Sequence, residues 1–216
     1  LGKKERCSPF KEDLISIYRE ADDSVAFFRQ STGFSCVGSC RKCCQTPAYN
    51  IEVTMVEFIP LAFHLFEAGE ADEWLTRLSN IGDDEPCVLL ERDCTRLPAG
   101  GCRYYQLRPM ICRLFGFSAA IMRNGLLSPV LCRLAKRSLL FGDNDQPISH
   151  TETTLPVLAD YARKIFSLDP YLSGRQYPIN IALKKALEYV GFKLYLCKIS
   201  EALQDSTSFS SEHQCP

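Results

Sequence analysis

Apolar residues recur at helical spacing near the start of the chain, with Phe10, Leu14, Ile17, Ala21, Val25 and Phe28 on one helix face. Ser8-Pro9 supplies a start, an N-cap followed by proline in the first turn, and Gly33 supplies a stop. Residues 48–53 read as a short strand. Thr54-Met-Val-Glu57 then reads as a capping box opening a helix that runs to about Ala68. That helix is apolar on most faces, which predicts burial. A shorter helix carries Trp74, Leu75 and Leu78. Residues 82–113 follow no period and are rich in Gly, Pro, Cys and Arg. Beyond them, apolar runs over 114–122 and 126–131 flank Asn124-Gly125, the dipeptide of a tight hairpin.

A polar loop over 142–150 separates this part from two further helices. One carries Leu155, Leu158, Ala162 and Ile165. The other carries Ile179, Leu183, Ala186, Val190, Leu194 and Cys197. The pattern predicts a mostly helical α+β single domain over 1–204, with irregular cysteine-rich loops and a small β-hairpin packed against the helices. The core motif spans 34–137, the helical C-terminal part 151–204, and the Ser-rich tail 205–216 is expected to be disordered.

Charge is uneven although the formal net charge is only −1. Residues 51–90 hold nine acids and one base, Arg77, whereas 91–137 hold nine bases and two acids. The block 91–137 carries no RNA- or DNA-binding motif, so nucleic acid is not the expected partner. The N-terminal LGKKERCSPF has no apolar stretch behind it, and the densest apolar run, 55–66, is interrupted by Glu57, Pro60 and His64. No signal peptide and no membrane span are expected, which points to a cytoplasmic protein.

Twelve cysteines change this picture most. Four are bunched as Cys36-x3-Cys40-x2-Cys43-Cys44, whereas disulfide staples join distant segments. Thiolates are soft anionic ligands for zinc and for iron–sulfur clusters. Cys40 and Cys43 form the most ligand-like pair, and Cys36 shares their face if the stretch is helical. Adjacent side chains diverge, so Cys43 and Cys44 are not expected on the same tetrahedral ion. A second group comprises Cys87, Cys94, Cys102, Cys112 and Cys132, with Arg103, Arg108 and Arg113 among them. Four thiolates around a divalent ion or an oxidised four-iron cluster leave a charge of about −2. Arg108 and Arg113 are the candidates to offset it.

Phe34-Ser-Cys36-Val-Gly-Ser-Cys40-Arg-Lys-Cys43-Cys44 resembles the opening motif of the YkgJ-type cysteine-cluster proteins, a zinc- or iron-chelating family. Cys87-Val-Leu-Leu and Gly101-Cys102-Arg-Tyr-Tyr-Gln-Leu-Arg108-Pro109-Met-Ile-Cys112-Arg113-Leu-Phe115 resemble its later blocks. The resemblance covers about 34–117. Cys132 stands where the family has its last cysteine, here followed by Arg133 and Leu134. Flagellin lysine-N-methylases carry a similar cysteine segment within longer chains. The resemblance implies a metal centre on Cys36, Cys40, Cys43, Cys44, Cys87, Cys102, Cys112 and Cys132.

An iron–sulfur cluster of the 4Fe–4S type is the favoured cofactor and zinc the alternative. Two other functions stay open: an iron–sulfur enzyme of methyl transfer or redox chemistry, and a structural zinc module of an interaction protein. A two-residue turn at Asn124-Gly125 would place Cys132 opposite Phe117, about 17 Å along an ideal strand from Cys112. Cys94 lies in an insert that the family pattern does not require. Cys197 reads as a core thiol. Cys7, Cys215, His64, His150 and His213 are assigned no ligand role, and no catalytic residue is assigned.

Overall fold

A computed structural model describes residues 10–33, 41–82, 84–92, 101–132 and 155–208. The expected Ser8-Pro9 start, the polar loop 142–150 and the end of the tail lie outside these residues. Helix α1 (Lys11–Thr32) buries Leu14, Tyr18, Ala21 and Phe28, and Gly33 ends it with φ 67°. That left-handed geometry costs glycine little, because it has no Cβ to clash. A 3-10 turn (Ala48–Asn50) stands where the start of a strand was expected, and strand β1 (Glu52–Thr54) follows it.

The capping box forms as the sequence predicts. The Glu57 carboxylate accepts the Thr54 N–H at 2.9 Å and the Thr54 hydroxyl at 3.2 Å. It opens a 3-10 turn (Met55–Phe58) that runs into α2 (Ile59–Glu67). Six of the nine residues of α2 are buried, as its apolar faces require. Helix α3 (Ala71–Asn80) buries Ala71, Trp74 and Leu78.

The cysteine-bearing stretch holds only short elements. Strands β2 (Leu90–Glu91) and β3 (Gly101–Cys102) pair antiparallel, and a 3-10 turn (Tyr105–Leu107) leads to α4 (Met110–Leu114). Strands β4 (Ser118–Ile121) and β5 (Leu127–Val130) then form the expected hairpin. Its turn differs from the expected one. The Gly125 N–H bonds the Met122 carbonyl at 2.9 Å, the Met122 N–H bonds the Leu126 carbonyl at 2.8 Å, and Gly125 has φ 78°. This is the three-residue loop closed by a left-handed residue. Ser118 faces Val130, so the register is one residue off that of a two-residue turn. The ladder ends there, with the Gly116 N–H on the Val130 carbonyl at 3.1 Å, so it does not extend to Cys132.

Helix α5 (Leu158–Leu168) buries Tyr161 and Ile165, and the short α6 (Pro170–Ser173) follows. Strand β6 (Gln176–Pro178) pairs with β1, placing Val53 opposite Tyr177. Neither that pairing nor the β2–β3 pairing carries a sequence signal. Helix α7 (Ile179–Ser208) buries Ile179, Ala182, Leu183, Ala186, Leu187 and Val190 against α2 and α3. At Gly191 an added Cβ would lie 2.9 Å from Phe66 Cζ, so α7 passes close to α2 there. No helix among the described residues is long and apolar enough to cross a membrane.

Leu61 on α2 is fully buried in the cluster that joins α1, α2, α3 and α7. Leu61→Ala is expected to cost about 3 kcal/mol through lost contacts and the cavity left behind. Leu126→Ala, at a residue 65% exposed in the hairpin loop, is expected to stay within about 0.5 kcal/mol of the parent. Urea unfolding measures both.

Candidate metal centre

Local hydrogen bonds bring the cysteine segments together. The turn at 41–45 is closed by the Cys44 N–H on the Arg41 carbonyl at 2.9 Å. Three residues on, Pro47 forms an antiparallel bridge with Pro86, and the Ala48 N–H bonds the Glu85 carbonyl at 2.9 Å. The stretch bearing Cys43 and Cys44 is therefore tied beside the one bearing Cys87. Asn180, in the first turn of α7, holds Cys87 from both sides. Its amide oxygen accepts the Val88 N–H at 2.9 Å and its amide nitrogen donates to the Pro86 carbonyl at 3.3 Å. Cys102 is paired with Leu90 across β2–β3, and the Cys87 carbonyl accepts the Leu90 N–H at 2.9 Å. Cys112 sits on α4, where the second oxygen of Glu57 accepts the Met110 N–H at 2.8 Å. Burial raises the Glu57 pKa, while these N–H groups pull it the other way.

The thiols share one electrostatic neighbourhood. Cys87, Cys102 and Cys112 pack against the main core and are free thiols, as are Cys43 and Cys44. Burial pushes the Cys87 thiol up to about 12, and a charge on Cys102 pushes it the same way. Burial also raises Cys112, and charge on Cys87, Cys102 and Glu57 adds to the rise. Cys102 is raised by burial, against the opposing pull of Arg108 and Arg113. The backbone at Leu89 favours the Cys87 thiolate and the backbone at Tyr104 the Cys102 thiolate, each against the effect of burial.

Cys43 and Cys44 do not diverge as expected. Their sulfurs lie 3.9 Å apart and share a hydrogen bond, which lowers exposed Cys43 to about 6. The same bond raises Cys44, with further contributions from burial and from charge on Cys43, Cys112 and Cys87. Two thiolates on one tetrahedral ion, with metal–sulfur bonds near 2.3 Å, stand roughly 3.8 Å apart. The vicinal pair thus has the spacing of a shared ion.

The arginines build the frame of the site. Arg113 is 2% exposed; it forms an ion pair with Asp22 on α1, donates to the carbonyls of Arg108 (3.0 Å) and Gln106, and lies 4.1 Å over the Tyr18 ring. Arg108 donates to the Tyr105 carbonyl at 2.7 Å and the Cys112 carbonyl at 3.3 Å, and meets Asp22 at 3.4 Å. Both also act on the Cys102 thiol through their charge. Arg103 faces Glu70 at 3.8 Å, and Glu70 accepts the Tyr104 hydroxyl at 2.7 Å. The basic stretch therefore docks onto acids of α1 and of the acidic block. Sequence reasoning missed Asp22, Asn180 and the second contact of Glu57. Asp22 had a weak signal, an acid four residues after Tyr18 on the face of α1 that packs inward.

Of the eight cysteines named, Cys36 and Cys40 lie outside the described residues, as does Cys94. Cys44, Cys87, Cys102 and Cys112 are brought into mutual electrostatic contact, with Cys43 bonded to Cys44. Cys132 packs instead with Phe28, Phe117, Leu131 and Leu155 in a second cluster. Cys197 is not the free core thiol expected; it is half-buried and disulfide-bonded. Among the described residues, no three His, Cys, Asp or Glu side chains are grouped closely enough to hold a metal ion. The donor set still fits soft-metal chemistry: thiols held at the core edge, backbone that favours two of the thiolates, and cations nearby.

Residues 35–139 match the CxxCxxCC family, described as a "putative zinc- or iron-chelating domain". No curated protein and no solved structure matches the chain, so the resemblance to flagellin lysine-N-methylases gains no support.

Removing Asp22 leaves the buried Arg113 charge without its carboxylate. Asp22→Ala is expected to cost about 2 kcal/mol, below the value for a fully buried pair because Asp22 is 37% exposed. Urea unfolding of the metal-free protein gives the number. Alkylation provides a second check. In metal-free protein at pH 7.5, iodoacetamide should modify Cys43 first, and Cys87 and Cys112 only slowly, as mapped by mass spectrometry. The raised thiols also set a pH trend. Their folded pKa values exceed the unfolded value of about 8.5, so their stabilisation is complete below that pH and falls as pH rises toward 12.

Proposed function

We propose that this CxxCxxCC-type domain holds a metal centre on thiolates drawn from Cys36, Cys40, Cys43, Cys44, Cys87, Cys102 and Cys112, with Cys132 as a further ligand. One observation carries the reading: the backbone ties the stretch bearing Cys43 and Cys44 beside the one bearing Cys87, and Cys102 pairs across β2–β3 with Leu90, three residues on from Cys87, while the backbone at Leu89 and Tyr104 favours two of the thiolates. Neutral thiols at a core edge gain little from such backbone, whereas thiolates around a cation gain much. Metal displaces the protons that burial now retains, and the anionic centre is offset by Arg108 and Arg113.

A 4Fe–4S cluster is the favoured occupant; the candidate cysteines outnumber the four that a cluster or a tetrahedral ion takes, which suits a cluster with spare thiols or two ions. Bound there, it would supply electron transfer or an anchoring point for substrate. The vicinal sulfurs 3.9 Å apart favour a second reading, a zinc ion held structurally. Either centre needs these thiols reduced.

Anaerobic purification followed by metal analysis and a visible spectrum separates these readings. The favoured outcome is brown protein with iron and acid-labile sulfide, bleached by reductant. Cys87→Ser and Cys112→Ser should each remove most of the bound metal. Stoichiometric zinc in colourless protein would support the second reading. A folded chain that takes up neither metal would end the proposal.

A further inference from the structure

A cleft of about 540 Å³ with no cysteine in its wall is framed by α6, β6 and the first half of α7, with Met55 in its lining. Three tyrosines line it. Tyr171 is 91% exposed and so covers almost nothing in this chain, while Tyr177 and Tyr189 are half-buried. Two cations flank the middle ring: the Arg175 guanidinium and the Lys185 ammonium each lie 5.0 Å from the Tyr177 centroid. Neither forms an ion pair among the described residues. Glu188 is the acid in the wall, and Asp169 acts on Tyr189 from the rim.

The rim is held in place. The Asp169 carboxylate accepts the Tyr171 and Leu172 N–H groups, both at 2.9 Å, and the Ser173 hydroxyl bonds the Ile165 carbonyl at 3.2 Å. Gly174 closes the turn so tightly that a Cβ there would lie 2.8 Å from the Pro170 oxygen. A fixed rim lowers the ordering cost of binding.

We propose that this cleft is a second binding site, for a planar aromatic ring that carries an anionic group, of about mononucleotide size. The exposed Tyr171 ring takes the ligand ring, Arg175 and Lys185 take the anion from over the Tyr177 ring, and Glu188 accepts from a hydroxyl or amine of the ligand. Pockets of this volume suit ligands of that size.

Isothermal titration of the full chain with AMP, adenosine and inorganic phosphate tests the assignment. AMP should bind, and adenosine and phosphate should each bind at least about tenfold more weakly, a difference of about 1.4 kcal/mol. Arg175→Glu and Lys185→Glu should each weaken AMP by about tenfold or more. Arg163→Glu, an exposed cation on α5 outside the cleft, should leave it unchanged. Cys112→Ser should also leave it unchanged, which separates this site from the metal centre. Circular dichroism checks that each variant folds. No AMP binding, AMP binding unaltered in both cleft variants, or phosphate binding as tightly as AMP would overturn the proposal.

Discussion

The ion pair between Arg113 and Asp22 fixes the part of the chain that has least structure of its own. Residues 101–114 contain a two-residue strand, a single 3-10 turn and a five-residue helix, too little to hold a shape in isolation. Arg113 is buried, so its charge demands compensation, and Asp22 on α1 provides it. The same guanidinium reaches back to the carbonyls of Gln106 and Arg108. A long helix is thereby made to dictate where Cys102 and Cys112 sit.

The same arrangement recurs at the other cysteine segments. Asn180 from α7 takes the backbone groups on either side of Cys87, and Glu57, from the turn before α2, takes the first N–H of α4. In each case a polar side chain on a well-packed element satisfies backbone groups of an irregular one. Unpaired, those groups would carry a desolvation cost of about 1–3 kcal/mol each. The helices supply the hydrophobic stability, and these two side chains pass it to loops that have no periodic apolar face.

Much of the helical frame was legible in the sequence because it follows from local rules. The apolar stripe of α1, the stop at Gly33, the capping box at Thr54–Glu57 and the buried run of α2 all depend on neighbours within a few residues. The cysteine spacing was legible too, and it lies in the part of the chain, residues 35–139, that matches the CxxCxxCC family. The β1–β6 and β2–β3 ladders were not, because strands of two or three residues carry no measurable alternation. The hairpin was read at Asn124-Gly125, but its register turned on Gly125 taking the left-handed position of a three-residue loop, which the dipeptide does not reveal. The arginines were noticed for their charge, whereas their contacts with Asp22 join residues 86 and 91 positions apart, beyond the reach of local pattern.

The central claim is that thiolates from separate segments converge on one metal centre. X-ray absorption at the metal edge of anaerobically prepared protein tests it most directly. The account predicts a first shell made of sulfur, at about 2.3 Å. That shell should lose sulfur in Cys87→Ser and in Cys112→Ser alike. A shell dominated by oxygen or nitrogen, or one untouched by either substitution, would contradict it.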